Sequence, residues 1–216
     1  TNLGINNQIY TPASSSFLVE SLLYKKPLRN FIKEIFNDID AIVAIMASGI
    51  IIRAIAPVLK NKLFDPAIVC VDVLGKSAIS LLSGHYGGAN ELTRIIAKSI
   101  NATPVITTAS DVMGKIGVDE LARIFHCKIL NANNLVAANT ALINNKKMAI
   151  IFSKNLAFPI NSSWEYAVEI GENDQSILEL SNNYDSGVII TDSDLLTRKI
   201  NKPFVILKPK KVIVGI

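Results

Sequence analysis

Short apolar runs alternate with polar, turn-forming stretches through the first half of the chain. Asp40-Ala41-Ile42-Val43-Ala44-Ile45-Met46 is apolar after its first residue. A run of that length is the mark of a strand buried on both faces. Ser48-Gly49 then forms a tight turn, with Ser48 placed to N-cap a helix from Ile50 to about Lys60. Arg53 is the only charge in that helix before Lys60. Pro57 removes a backbone donor and crowds the Arg53 carbonyl, which predicts a kink. Ala67–Val71 reads as a second strand and Ser77–Leu82 as a third, with Asp72–Lys76 as the hairpin turn between them. The stretch Ser83–Asn90 leads into a helix whose Leu92, Ile95, Ile96 and Ile100 follow helical spacing, and Pro104–Thr108 is a further strand.

This order predicts an α/β fold: a mainly parallel, three-layer sheet domain with helices on both faces, followed by a second, smaller α/β domain. In open sheets of this type ligands bind outside the carboxyl ends of the strands. Three loops, Ala47–Gly49, Ser83–Asn90 and Thr107–Asp111, are expected at such ends and hence at one edge. Further on, Val118–Phe125 and Asn134–Asn145 read as helices, and Met148–Phe152, Gly187–Thr191 and Phe204–Leu207 as strands. The pattern is weak between Ser153 and Ser186. The expected domains are 1–109 and 110–207. Residues 208–216 are expected to be a linker and the opening strand of a third domain not included.

Composition narrows the class. Of the 216 residues 50% are hydrophobic and 19% charged, and the mean hydropathy is +0.35, which excludes a disordered chain. No apolar run approaches the ~18–20 residues of a spanning helix. The net charge of +4 comes from interspersed residues. The one basic cluster, Lys208-Pro209-Lys210-Lys211, reads as a solvated linker, and 6% aromatic content offers little for base stacking. Neither a nucleic acid nor a membrane is an expected partner. Cys70 and Cys127 form no CxxC pair, which suits a reducing cytoplasm. The chain opens on Thr1 rather than Met, so the lack of a leader carries no weight.

Ser83–Asn90 carries the most chemistry. Gly84, Gly87 and Gly88 allow close backbone approach or positive φ, and the following helix presents N–H groups to a carboxylate or oxyanion. The glycines match neither a phosphate loop nor a dinucleotide fingerprint, and such turns also exist only to redirect the chain. His85 suits a general acid or base, or bonds local backbone. Glu91 either complements the helix dipole or acts as a base. Arg53 needs a partner if buried: an anionic ligand or an Asp. Lys62 and Asp65 flank a turn, as surface residues or ligand contacts. His126 lacks further ligands at metal spacing and reads as a helix end, and Trp164 reads as core.

Ala47–Pro57, Lys62–Ala67, Leu81–Leu92 and Pro104–Asp111 together closely resemble the cobalt-precorrin-5A hydrolases, the CbiG family. The G-I-x-x-R-x-x-A-P, D-P-A and L-L-S-G-H-x-G-G-A-N blocks stand in the family's order and spacing. Family members begin with another strand and end with a third domain opening on a V-G-I-G-type strand. Val214-Gly215-Ile216 falls where that domain would start, so an incomplete chain is the expectation. The resemblance implies opening of the δ-lactone of cobalt-precorrin-5A, with loss of C20 and its methyl as acetaldehyde. It implies His85 or Glu91 as the base and Gly84, Gly87, Gly88 and Asn90 as a turn donating to oxyanion or carboxylate. Arg53 and Lys62 would hold carboxylates, and Thr107 and Thr108 would orient groups. Cobalt belongs to the substrate, so no protein-bound metal or cofactor is implied. The expected partners are the small-molecule cobalt-corrinoid, with a homodimer or contacts to other pathway enzymes beside it. A corrinoid carrier or scaffold without catalysis, and another acyl hydrolase using the same loop, are the rival readings.

Overall fold

Side chains alternate between the two faces of a strand, so a strand covered on both sides must be apolar at every position. The strand Ala67–Val71 meets that condition and sits inside the first sheet. The computed structural model describes residues 7–14, 21–154, 156, 164–193, 196 and 200–210. The chain divides into two units, Thr1–Val105 and Ile106–Ile216.

The first unit contains β1 (Tyr10–Pro12), β2 (Leu22–Tyr24), α1 (Leu28–Ile35), β3 (Ala41–Ile45), α2 (Ser48–Ile55), β4 (Ala67–Val71), β5 (Ser77–Leu82), α3 (Ala89–Ile100) and β6 (Thr103–Val105). β1 and β2 form a parallel pair, with Tyr10 and Tyr24 against Phe31 of α1. The other four strands form a sheet in the order β3-β4-β5-β6. Ala44, Ile68 and Cys70 pack against Ile32 and Phe36 and against Ile51, Ala54 and Ile55 of α2. Ala67, Val69, Val71 and Ala78 face Ala89, Ile96 and Ala97 of α3 on the opposite side.

Four local expectations are corrected. β3 is an edge strand, and on its α3 side Val43 and Ile45 are exposed, so it is covered on one face only. α2 ends at Ile55 rather than running through a kinked Pro57, because Pro57 has no amide to donate to the Arg53 carbonyl. Ser48 lies within α2 and Ala47 is the N-cap, without a side-chain bond. α3 buries Ala89, Thr93, Ile96 and Ala97, leaving Ile95 and Ile100 exposed. Small residues flanking Ile96 let α3 lie close on the sheet, and they share its inner stripe with that one isoleucine.

The largest correction concerns where the loops fall, and it follows from the Asp72–Lys76 hairpin that the sequence predicts. β3 and β4 are parallel, β4 and β5 antiparallel, and β5 and β6 parallel. The Asp72–Lys76 hairpin reverses the chain halfway through the sheet. Ala47–Gly49 after β3 therefore lies at the opposite edge from Ser83–Asn90 after β5. The loops Ala47–Gly49 and Ser83–Asn90, expected together, do not share an edge.

The second unit contains α4 (Ala109–Val112), α5 (Val118–Ile124), β7 (Cys127–Ile129), a 3-10 turn (Ala132–Asn134), α6 (Leu135–Ile143), β8 (Met148–Ser153), β9 (Ala167–Gly171), α7 (Asp174–Ser181), β10 (Ser186–Ile190) and β11 (Phe204–Pro209). Its sheet runs β7-β11-β10-β8-β9 and is parallel except between β7 and β11. Ala149, Ile151, Ile177, Ile189, Phe204 and Ile206 form much of its core. β9 and α7 occupy the stretch whose pattern is weak. Their signal was the cap: the Ser176 amide donates to Asn173 Oδ1 at 3.0 Å, and the Asn173 amide to Ser176 Oγ at 3.0 Å. Lys208 and Pro209 belong to β11 rather than to a linker. The strand expected over Val212–Ile216 lies outside the described residues. Trp164 is half-buried, edge-on to Phe125.

Lys115 is a buried cation whose Nζ donates to the Leu142 carbonyl at 3.1 Å and to Asn145 Oδ1 at 2.5 Å. It also pairs with Glu165 at 2.6 Å. Both cysteines are free and buried. Burial raises the Cys70 thiol, and it pushes the Cys127 thiol up to about 11. Among the described residues no helix is long and apolar enough to cross a membrane, and no cluster of His, Cys, Asp and Glu could hold a metal.

Candidate functional site

Two segments of the first unit meet where β5 ends and β4 begins. One is Ser83–Asn90, entering α3, and the other is the 56–66 connection from α2. They are joined by a hydrogen bond: Ser83 Oγ donates to the Asp65 carbonyl at 2.9 Å. The Asp65 carboxylate is itself buried and accepts the Lys60 amide through both oxygens, at 3.0 and 3.1 Å. Asp65 is thus the brace of its own turn rather than a ligand contact.

The Ser83–Asn90 turn is closed upon itself. The Gly88 amide donates to the His85 carbonyl at 3.0 Å, Ala89 to Ser83 at 3.1 Å, and Asn90 to Gly84 at 3.0 Å. Gly88 has φ +84°, a left-handed conformation in which glycine carries no steric penalty. Ser83, a non-glycine, is held at φ +56°. This strained residue was not singled out by sequence pattern, because serine gives no signal for positive φ. The Asn90 side chain is buried and accepts the Ser80 hydroxyl at 2.7 Å. A Cβ on Gly84 would stand 2.7 Å from Asn90 Oδ1, and one on Gly87 would stand 2.5 Å from Ser83 Cβ. Here Gly84, Gly87 and Asn90 are demanded by packing.

The expected donor set changes accordingly. The amides of Gly88 and Asn90 are spent inside the turn. Among the described residues, the amides of Gly87 and Glu91 have no backbone carbonyl partner. Both stand at the positive end of the 12-residue α3, as does the Tyr86 amide, which likewise has no backbone carbonyl partner.

His85 is half-buried in the turn. Glu91 is exposed in the first turn of α3, 3.6 Å from Arg94 Nη1. Lys62 is exposed on the turn that precedes Asp65, so it shares the edge with the loop. Arg53 does not. It is exposed, and its Nη1 donates to the Gly49 carbonyl at 3.1 Å, which holds the guanidinium at the other edge. It needs neither a buried Asp nor a ligand. Thr107 and Thr108 belong to the second unit, where Thr108 is the N-cap of α4.

Fold and turn together define the class: a mainly parallel α/β protein with a closed, glycine-rich strand-to-helix turn at one sheet edge. Residues 30–111, which include that whole edge, match the family model described as cobalamin synthesis G N-terminal, CbiG_N. Over that stretch the chain is similar to the N-terminal region of the CbiG family. It is 33% identical over 201 residues to the cobalt-precorrin-5A hydrolase of Priestia megaterium, covering 89% of this chain and 52% of that protein. It is 38% identical over 128 residues to the Salmonella typhimurium protein of the same name, covering 59% and 36%. The chain thus spans about half, or less, of the length of these relatives. A solved structure from Sulfolobus solfataricus, described as a cobalamin biosynthesis protein G homologue, is similar over 88% of this chain and 50% of its own. The identity is 28% and the TM-score 0.49.

Proposed function

We propose that this protein is a cytoplasmic cobalt-precorrin-5A hydrolase, opening the δ-lactone and releasing acetaldehyde to leave cobalt-precorrin-5B. One observation carries the reading: the stretch that matches the family model spans the Ser83–Asn90 turn and the Lys62–Asp65 turn that it is bonded to. In this reading His85 or Glu91 takes a proton from the water that attacks the lactone carbonyl. The Gly87 and Glu91 amides face the oxyanion as it forms. Donors already in place cost no reorganisation at that moment. Gly84, Gly88 and Asn90 hold the turn that sets them. Lys62 grips a peripheral carboxylate of the substrate. Arg53, Thr107 and Thr108 are left out of the site proposed for this unit. Cobalt arrives and leaves with the substrate.

The test is an acetaldehyde assay on the full-length protein with cobalt-precorrin-5A, alongside substrate binding by absorbance. His85→Ala and Glu91→Ala are each expected to bind the corrinoid while at least one loses turnover by about 10²–10⁴-fold. Unchanged turnover in both variants removes them from catalysis. Binding with no acetaldehyde release by the wild type would instead favour a carrier.

A further inference from the structure

The connection that braces the candidate loop also holds an aromatic ring out into solvent. Phe64 is 81% exposed, and no other large apolar side chain among the described residues is as exposed. Single exposed apolar residues are common and mean little by themselves. Position and rigidity make this one different. The Phe64 and Asp65 amides both donate to the Asn61 carbonyl, at 2.9 and 2.8 Å, and the Leu63 amide donates to Asn61 Oδ1 at 2.9 Å. Asp65, the next residue, is buried and tied to Ser83 of the candidate loop. The ring therefore stands on a pinned turn, one residue from the bond that joins the two segments of the site. Lys62 lies two residues before it, and Lys60, its Nζ 2.8 Å from Asn37 Oδ1, begins the same turn. Leu59 adds a further exposed apolar side chain.

We infer that Phe64 is the platform on which one face of the substrate macrocycle rests, with Lys60 and Lys62 meeting the carboxylates on its rim. The inference rests on the function proposed above and names a specificity-determining subsite within it. A tetrapyrrole-derived macrocycle has two broad apolar faces and a polyanionic edge. A site for it needs an apolar surface bordered by cations, both outside the reacting groups. An aromatic ring supplies such a surface with little entropy to lose when its backbone is already pinned. Lysine side chains on flexible stems can follow carboxylates spread round a rim.

The test uses the full-length protein with cobalt-precorrin-5A, measuring Kd by absorbance together with KM and kcat for acetaldehyde release. Phe64→Ala is expected to weaken Kd and raise KM about tenfold, or about 1.4 kcal/mol, with kcat within about twofold and an unchanged melting temperature. Phe64→Trp is expected to restore affinity. Val73→Ala is the control, since Val73 is 78% exposed on the hairpin at the opposite edge. It should leave every parameter unchanged. Wild-type affinity in Phe64→Ala, with turnover intact, overturns the platform and leaves the proposed activity standing. An altered oligomeric state with unchanged Kd also overturns it, by assigning the ring to self-association. If the wild type neither binds the corrinoid nor releases acetaldehyde, the proposed activity fails and the platform with it.

Discussion

Gly87→Ala tests the packing of the candidate turn most directly. The added Cβ would stand 2.5 Å from Ser83 Cβ and 2.8 Å from the Ser83 carbonyl oxygen. Ser83 has little room to yield. It is buried, its hydroxyl is held by the Asp65 carbonyl at 2.9 Å, and its own carbonyl accepts the Ala89 amide at 3.1 Å. Forcing a methyl group into such a site costs about 1–3 kcal/mol. At about 2 kcal/mol, a chain of this length should melt roughly 4–8 °C lower. A second substitution isolates the cause. Ser83→Gly removes the nearest clashing atom and relieves a left-handed strain of about 1–2 kcal/mol, while losing a hydrogen bond of about 1 kcal/mol. By itself it should be close to neutral. In that background Gly87→Ala should cost at least about 1 kcal/mol less than in the wild type, a coupling expected of residues in direct contact. Urea denaturation of the four proteins in this cycle measures it. Additivity within about 0.5 kcal/mol would refute the claim that Gly87 is required by Ser83.

Four further outcomes follow from other parts of the molecule. Partial desolvation raises the Asp72 carboxyl, but amide donors from Leu74 and Ser77 and the nearby Lys76 outweigh it and hold it below its ordinary value. A depressed carboxyl stabilises the fold above its unfolded-state value and loses that contribution as pH falls through the folded one. Asp72→Asn should therefore melt lower than wild type at pH 7, with the difference closing at acid pH, and a pH-independent gap would contradict this. Lys115→Ala should cost about 1–3 kcal/mol by stranding the Leu142 carbonyl and Asn145 Oδ1, as read by urea denaturation. Neither Cys70 nor Cys127 should react promptly with a thiol reagent at pH 8, since burial raises both. Both should react in urea, and prompt labelling of the folded protein would refute their burial. Arg53→Ala should leave the corrinoid Kd within about twofold, because the guanidinium is held at Gly49. A loss of tenfold or more would place it on the ligand.

Much of the local structure was legible because local rules produce it. β4 and β8 are continuous apolar runs, and both are almost wholly buried. Asp72–Lys76 is the hairpin its turn residues announce, and Gly88 sits at positive φ where glycine is permitted. β9 and α7 were missed because β9 is largely exposed and so lacks a strong apolar pattern. Of the apolar positions named for α3, Ile96 and Leu92 face the sheet, while Ile95 and Ile100 give way to the smaller Ala89, Thr93 and Ala97.

The amino-acid sequence by itself determined the α/β class, most of the elements and the turn that bears His85 and Glu91. Each depends on neighbours a few residues apart. Which of the candidate residues share an edge was settled in the tertiary structure, where the hairpin legible at Asp72–Lys76 has its consequence. That depends on the direction of every strand relative to its partners, and a single antiparallel pairing, β4 with β5, reversed half the sheet. It carried Ser83–Asn90 away from Ala47–Gly49 and towards Lys62, Phe64 and Asp65, joined through the Ser83–Asp65 bond. Donor availability was likewise a property of the folded turn. An amide's partner is a carbonyl brought close in space, and here folding spent the amides of Gly88, Ala89 and Asn90 but not those of Tyr86, Gly87 and Glu91.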